Sequence, residues 1–430
     1  MKNLWSVAGL FFSAVLLTAC GGGAINSGTQ QILPMGARPH GNTAGALAAG
    51  YKQLYVFKGT PDGASPYSGL VAVNGTLYGT TLNGSTNNCS SSCGSNNCYL
   101  GCGTIFSVDT RGREHVIYDF KGNFNSGADG SWPFDGLTVL NGNQLWGTTS
   151  SAGQYLHGTA FITDTSGNER VVYSFMGGTD SEGPEAGLIA NKEHLYGASL
   201  YGGGSGCGGA GCGVVYWLTT TGKEFVLYKF QGGTDGVRPY SGPIFMHDAL
   251  YGSALFGGGA GCGSQGCGII YKLNLHGKET VLHRFADSSD GAYPNGLIAV
   301  GGTLYGTTEG GGTKNSGTFF SITPSGKFTT LYDFLDIPDG NLPGAVLIYS
   351  KGEFYGTTVG GGTAGVGTVF SMTKTGSEKV IYSFLGGSDG SAPQSPVYLF
   401  KGNLYGTTLS GGNTGCTNNA GCGTVYRVKP

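Results

Sequence analysis

Charge is what this sequence has least of. Asp, Glu, Lys and Arg make up 11% of 430 residues, where about 25% is ordinary for a soluble domain. With 23 basic against 25 acidic residues the formal charge is −2, and no Lys/Arg cluster interrupts the sequence. That balance excludes the electrostatic footprint of a nucleic-acid binder. Catalytic signatures are missing as well. There is no GxSxG, no P-loop and no HExxH, and the glycine runs precede strand-like rather than helix-like segments. His40, His115, His157, His194, His247, His276 and His283 fall at unrelated positions without metal-ligand spacing. Nothing beyond the N-terminus approaches the ~18 consecutive apolar residues of a membrane span. Glycine, by contrast, abounds at 85 residues without a collagen-like triplet period. Such a chain is mostly strand and tight turn.

The N-terminus reads as a processing segment. Lys2 supplies a short basic start, Leu4 to Leu17 an apolar stretch, and Leu17-Thr18-Ala19-Cys20 closes it with small residues before a cysteine. This is similar to a bacterial lipobox, and the similarity implies cleavage after residue 19 and acylation of Cys20. Gly21 after the cysteine implies passage to an outer membrane. Residues 20–50 follow as a lipidated start and flexible tether that would average ~30 Å end to end. The expected location is therefore the cell envelope, held to the membrane by lipid.

A short phrase recurs seven times: LYGTT ending at Thr81, LWGTT at Thr149, LYGAS at Ser199, LYGSA at Ala254, LYGTT at Thr308, FYGTT at Thr358 and LYGTT at Thr408. Its aromatics lie 50 to 68 residues apart, a period that signals a propeller or solenoid. Each period holds four β-like runs. The first opens as GLVAV from Gly69, GLTVL from Gly136, GLIAN from Gly187, GPIFM from Gly242, GLIAV from Gly296, GAVLI from Gly344 and SPVYL from Ser395. A tight turn such as Asn74-Gly75, the strongest hairpin signal, leads to the LYGTT phrase. The third run begins at Gly103, Gly158, Gly213, Gly268, Gly317, Gly367 and Gly423. The fourth alternates at period two, as in Val116, Tyr118 and Phe120, which puts its apolar trio on one face.

Four antiparallel strands per period make a propeller blade, so residues 51–430 are expected to form an all-β, seven-bladed β-propeller. The ends supply the check. The chain enters at a fourth-type strand, Leu54-Tyr55-Val56-Phe57, and leaves at a third-type strand from Gly423 to Val428. The N-terminal strand thus completes the last blade and hides two open sheet edges, which an open solenoid would not require.

These residues resemble the GloVer tandem repeat of the choice-of-anchor tandem repeat GloVer-containing proteins. The resemblance covers about residues 51–430, and its best copy runs from Gly361 through Gly367-Thr368-Val369-Phe370 and Ile381-Tyr382-Ser383-Phe384 to Tyr405-Gly406-Thr407-Thr408. It implies a surface-anchored repeat protein, with Cys20 as the anchor here, and it brings no catalytic residues. The chain departs from the pattern at Ala198-Ser199, Ser253-Ala254, His283 and Ser395-Pro396.

Apart from Cys20, ten cysteines remain, all in loops between second and third strands. An even number in an exported chain predicts five disulfides. Cys207/Cys212, Cys262/Cys267 and Cys416/Cys422 each bracket a small tip. In the enlarged first copy the spacing favours Cys93–Cys98 inside Cys89–Cys102, with the two other connectivities open. A zinc or iron–sulfur site there lacks the usual CxxC spacing, so no metal or cofactor is expected.

An Asp-Gly…Pro constellation marks each fourth-to-first connection, with Asp62, Asp129, Asp180, Asp235, Asp290, Asp339 and Asp389. As local structure this is an Asx turn followed by a fixed φ. As a site it would be a ring of carboxylates on the face that also carries the cysteine loops, with too few oxygens per blade for a calcium cage. Specificity in a symmetric ring should show as broken symmetry, as at Glu309, Glu182, Glu185, Arg238, His283 and Trp132. The expectation is a monomeric envelope module that binds or scaffolds a glycan or another protein through this face, with the seven aspartates and Glu309 as candidate ligand-face residues. A lyase or glycoside hydrolase at the channel mouth is the alternative and would need a carboxylate pair. A purely structural surface repeat is the third reading.

Overall fold

The computed structural model describes residues 50–87, 101–122, 129–259, 261–287, 289–413, 415–416 and 421–430. The signal segment, the Cys20 tether up to residue 49, and Cys89, Cys93 and Cys98 lie outside them. Seven four-stranded antiparallel blades follow one another along the chain. Blade 1 comprises Val71–Val73, Thr76–Thr81, Thr104–Val108 and Glu114–Asp119. The second strands of blades 2 to 7 are Gln144–Thr149, His194–Ser199, Ala249–Ala254, Thr303–Gly310, Glu353–Gly361 and Asn403–Thr408. In blade 7 the order is Tyr398–Phe400, Asn403–Thr408, Thr424–Val428 and then Lys52–Val56, so the N-terminal strand closes the ring as its end residues predict. Among the described residues helix is limited to two three-residue 3-10 turns, and no helix is long and apolar enough to cross a membrane.

The LYGTT glycine is required by a neighbouring ring. A Cβ at Gly79 would lie 2.8 Å from both Leu70 Cδ2 and Phe106 Cζ, and one at Gly406 would lie 2.4 Å from Tyr426 Oη. That aromatic comes from the third strand of the same blade and reaches outward to the fourth-strand Phe of the preceding blade. The resulting pairs are Phe57–Phe106, Phe120–Phe161, Phe175–Tyr216, Phe230–Tyr271, Phe285–Phe320, Phe334–Phe370 and Phe384–Tyr426. Their centroids are 5.0–5.6 Å apart and their planes meet at 62–75°. Edge-to-face geometry of this kind adds about 0.5–1.5 kcal/mol per pair beyond buried area.

The hydroxyls of the phrase are equally structural. Thr81, Thr149, Thr308, Thr358 and Thr408 share a hydrogen bond of 2.8–2.9 Å with Thr104, Thr159, Thr318, Thr368 and Thr424 on the adjacent strand. In blade 4 both partners are lost together, Ala254 facing Ile269. Replacing both members by apolar groups leaves no buried hydroxyl unsatisfied. In blade 3 Val214 faces Ser199, whose hydroxyl turns to the Tyr201 carbonyl at 2.8 Å.

Each fourth-to-first connection is tied to both blades it joins. Ser65, Trp132, Gly183, Arg238, Tyr293, Leu342 and Ala392 all hold φ between 52° and 61°. This left-handed conformation is uncommon for bulky residues. It aims each N–H at a carbonyl of the preceding blade, from Cys422, Cys102, His157, Cys212, Cys267, Ser316 and Val366, at 2.8–3.1 Å. First-to-second turns such as that of blade 1 are type I′ hairpins, as Asn74 (φ 50°) and Gly75 (φ 88°) show. Two strand phases differ from the sequence reading. In blade 7 Tyr398 pairs with Tyr405, so Pro396 rather than Ser395 stands at the Gly69 position, and Ser395 matches Ser68. In blade 6 Ile348 pairs with Tyr355 as Val71 pairs with Tyr78, so the first strand follows Leu347, and Val346 rather than Gly344 stands at the Gly69 position. The GAVLI segment matched the pattern two residues early because Pro343-Gly344 imitates its opening.

First strands of adjacent blades meet near the axis, where a Cβ at Gly242 would lie 2.4 Å from the Gly187 carbonyl oxygen. Fourth strands are therefore outermost. Antiparallel order puts the fourth-to-first and second-to-third loops on one face, the upper. The two ends of the described ring lie on the opposite face, where the Lys429 N–H bonds the Gly50 carbonyl at 3.1 Å.

Phe57 tests the closure, because it is fully buried in the seam that only the N-terminal strand can fill. Phe57→Ala is expected to cost about 3–5 kcal/mol in denaturant unfolding. A loss under 1 kcal/mol would mean that the ring does not depend on this seam.

Candidate functional site

The structure separates the sequence-predicted site residues into two groups. The seven aspartates sit in the seams beside the outermost strands. Six accept a hydrogen bond from a preceding fourth-strand tyrosine, Tyr55, Tyr118, Tyr173, Tyr228, Tyr332 or Tyr382, at 2.6–3.0 Å. Asp290 meets His283 Nε2 at 3.0 Å instead. Backbone N–H groups of Lys58, Lys121, Met176, Gln231, Ala286, Leu335 and Leu385 add a second bond of 2.7–3.4 Å. Each carboxylate thus fixes the turn that leaves its own blade.

A glutamate of the next blade joins five of these seams. Burial and then the neighbouring aspartate push Glu114 and Glu224 up to about 8, through Asp62 and Asp180. Burial followed by Asp235 or Asp339 pushes Glu279 and Glu378 up to about 7. Glu169, beside Asp129, is pushed up to about 7, again chiefly by burial. Oε1 of Glu114, Glu169, Glu279 and Glu378 is buried without a donor, as expected of a carboxyl that keeps its proton beside an aspartate. Where the glutamate is absent an aromatic takes its place. Phe328 stacks on His283 at 3.8 Å, and Tyr51 stacks on Tyr382 at 4.0 Å.

These shifts set a sign for pH dependence. The folded glutamates bind protons up to pH 7–8, whereas unfolded ones release them near 4.5. Their contribution is whole below about pH 4.5 and is lost as pH rises through 7–8. His283 opposes this weakly, because burial lowers its pKa below 6.5 and favours the neutral form. The thermal midpoint should therefore fall between pH 5 and pH 9, and Glu114→Gln/Glu224→Gln should flatten the fall. A midpoint that rises over this range would contradict the seam geometry.

The second group lies at the axis. In each connection the residue after the proline differs: Tyr67, Phe134, Glu185, Tyr240, Gly344 and Gln394, while blade 5 is one residue shorter. The Tyr67 and Tyr240 hydroxyls, 173 residues apart in sequence, meet at 2.8 Å. Phe134 packs between them, 4.3 Å from the Tyr67 ring and 6.2 Å from that of Tyr240. Glu185 and Glu309 both act electrostatically on the Tyr67 and Tyr240 hydroxyls, so three blades' aromatics and two blades' acids share one place. Protein surrounds Glu185 and Glu309 on all sides, yet each keeps partial solvent contact, as in a narrow well. Burial pushes each up to about 8; Arg238 offsets this in part for Glu185, and nothing does for Glu309. Asp135, also raised by burial, is held by the N–H groups of Gly136 and Gly187.

Of the other symmetry breakers, Arg238 stacks over Tyr201 and Phe256 at 5.0 and 5.7 Å. Glu182 lies 3.3 Å from His157 Nδ1. Trp132 holds one of the left-handed positions, and His283 stands in for a seam tyrosine. Tyr67, Phe134, Tyr240 and Gln394 went unnoticed in the sequence. Their signal was available as the unrepeated residue after each repeated proline.

Disulfides join Cys207 to Cys212, Cys262 to Cys267 and Cys416 to Cys422, with Cα atoms 5.1–5.2 Å apart. Cys102 is also disulfide-bonded, while the connectivity expected for Cys89, Cys93 and Cys98 falls outside the described residues. Closing such short loops contributes about 2 kcal/mol each at most. Dithiothreitol is therefore expected to leave the ring folded by near-UV circular dichroism, and unfolding at 25 °C would contradict this. Among the described residues no three His, Cys, Asp or Glu are grouped to hold a metal ion.

Fold and site together define a closed seven-bladed propeller with an unsymmetrical cluster of aromatic and carboxyl groups near its axis. The chain belongs to the Gloeobacter/Verrucomicrobia repeat family, whose model matches residues 42–210 and 208–426. No protein of curated function matches it. Among solved structures it is similar to the computationally designed protein Ika8, at 11% identity and a TM-score of 0.43 over 87% of this chain and 99% of that one. A puromycin hydrolase matches at 10% identity and 0.48, over 82% of this chain and 51% of that one. A gluconolactonase from Xanthomonas campestris matches at 15% and 0.39, over 67% and 82%. At such identities and scores these likenesses say nothing about activity.

Proposed function

We propose that this protein is a ligand-binding module of the cell envelope that takes a glycan into the axial well on its upper face. The observation that carries the reading is the convergence of Tyr67, Phe134 and Tyr240 with Glu185 and Glu309, at positions the repeat does not keep alike. Residues that serve the scaffold recur in most blades here, and these do not. Aromatic walls with a few placed polar groups are the usual make-up of a small-molecule site. Sugars suit such walls, offering apolar C–H faces to the rings and hydroxyl donors to the carboxyls. Acylation at Cys20 would hold the ring from below, because the first strand begins on the lower face, and the well would then open away from the membrane.

A second reading follows from Glu185 and Glu309, two carboxyls pushed up to about 8 in one concave place. An acid pair with displaced pKa values is what a glycoside hydrolase would need. A glycan array probed with the purified protein separates the two. Binding that Phe134→Ala and Tyr240→Ala reduce at least tenfold, with the glycan recovered intact, supports the module. Cleavage abolished by Glu309→Gln supports the enzyme, and no retained glycan rules out both.

A further inference from the structure

We propose that the axial well selects a glycan bearing a free, protonated amine, an amino sugar without its acetyl group; this rests on the glycan reading above. The unfilled hydrogen-bonding capacity at the axis is all of one kind. The carboxyls of Glu185 and Glu309 make no hydrogen bond or ion pair among the described residues. Both are acceptors once ionised. Asp135 is already satisfied by its two backbone donors.

Charge is unbalanced in the same sense. Arg238 is the positive group that acts on this cluster, through Glu185, and its guanidinium is spread over Tyr201 and Phe256. Glu309 has no positive neighbour acting on it. A neutral sugar would fill the aromatic walls and leave that acceptor set under-used. An ammonium brings three donors and no acceptor, supplies the missing positive charge, and is attracted to the faces of aromatic rings, of which Tyr67 and Tyr240, only half-buried and backed by the buried Phe134, supply two. Glu309 follows Thr308, where the other blades carry Leu82, Ser150, Leu200, Leu255, Val359 and Leu409, so the acid is specific to one blade. A buried carboxyl without a partner costs stability unless something pairs with it. The amine is that partner.

The test compares glucosamine oligosaccharides with fully N-acetylated ones of equal length by titration calorimetry on the full purified protein. The expected result is at least tenfold tighter binding of the amine form. Glu309→Gln should remove that preference, weakening the amine form at least tenfold more than the acetylated form, and Glu185→Gln should reduce it. Both variants are nearly isosteric, and an unchanged thermal midpoint would show that they fold. Glu193→Gln, at an exposed turn on the lower face, should keep the preference. If Glu193→Gln removes it equally, diffuse attraction to an acidic protein is the cause and the inference falls. Equal or weaker binding of the amine form overturns the inference while glycan binding stands. Failure of both sugars to bind overturns the two together.

Discussion

Seven edge-to-face aromatic pairs hold this ring, and much of the rest of the sequence is arranged around them. Each pair places a third-strand Phe or Tyr over the bare glycine of its own LYGTT phrase and against the fourth-strand Phe of the blade before. The glycine is needed because no Cβ fits under the ring. Because every pair spans two blades, no blade is complete alone, and the first and last must meet. Phe57 and Phe384 make that meeting, one on each side of the composite blade.

Around this aromatic belt lie two polar layers that also cross the seams. On the upper face the left-handed residue of each connection donates its N–H to the blade behind, often to the carbonyl of a disulfide cysteine. Near the outer edge the Tyr–Asp–Glu seams hold acid pairs that burial keeps protonated near neutral pH. Both layers repeat because every seam faces the same geometric demand. At the axis that demand ends, since only one side chain per blade can reach it and seven identical large ones would not fit. The residue after the proline is free to differ there, and it does.

This division also explains which features could be read from the linear sequence. The LYGTT period, the I′ turn signals and the complementary chain ends are local or periodic. Backbone hydrogen bonding then forces one architecture, and the second and third strands fall where their glycines place them. The Asp-Gly turns were visible as turns, but their carboxylates could be assigned to the seams only once Tyr55 or His283 was seen beside them. Pro343-Gly344 misled the phase of blade 6 because a proline-glycine pair looks like a strand opening wherever it occurs.

What the sequence by itself determined is the ring: seven copies of a four-strand unit and an end that completes the start, because strand pairing and period are encoded within some fifty residues. What only the tertiary structure decided is the site. Tyr67 and Tyr240 share a hydrogen bond across 173 residues, and Glu185 and Glu309 join them from two further blades. No local pattern relates those four positions. They become neighbours only because closing the ring carries the residue after each proline, and the end of one second strand, to a common axis.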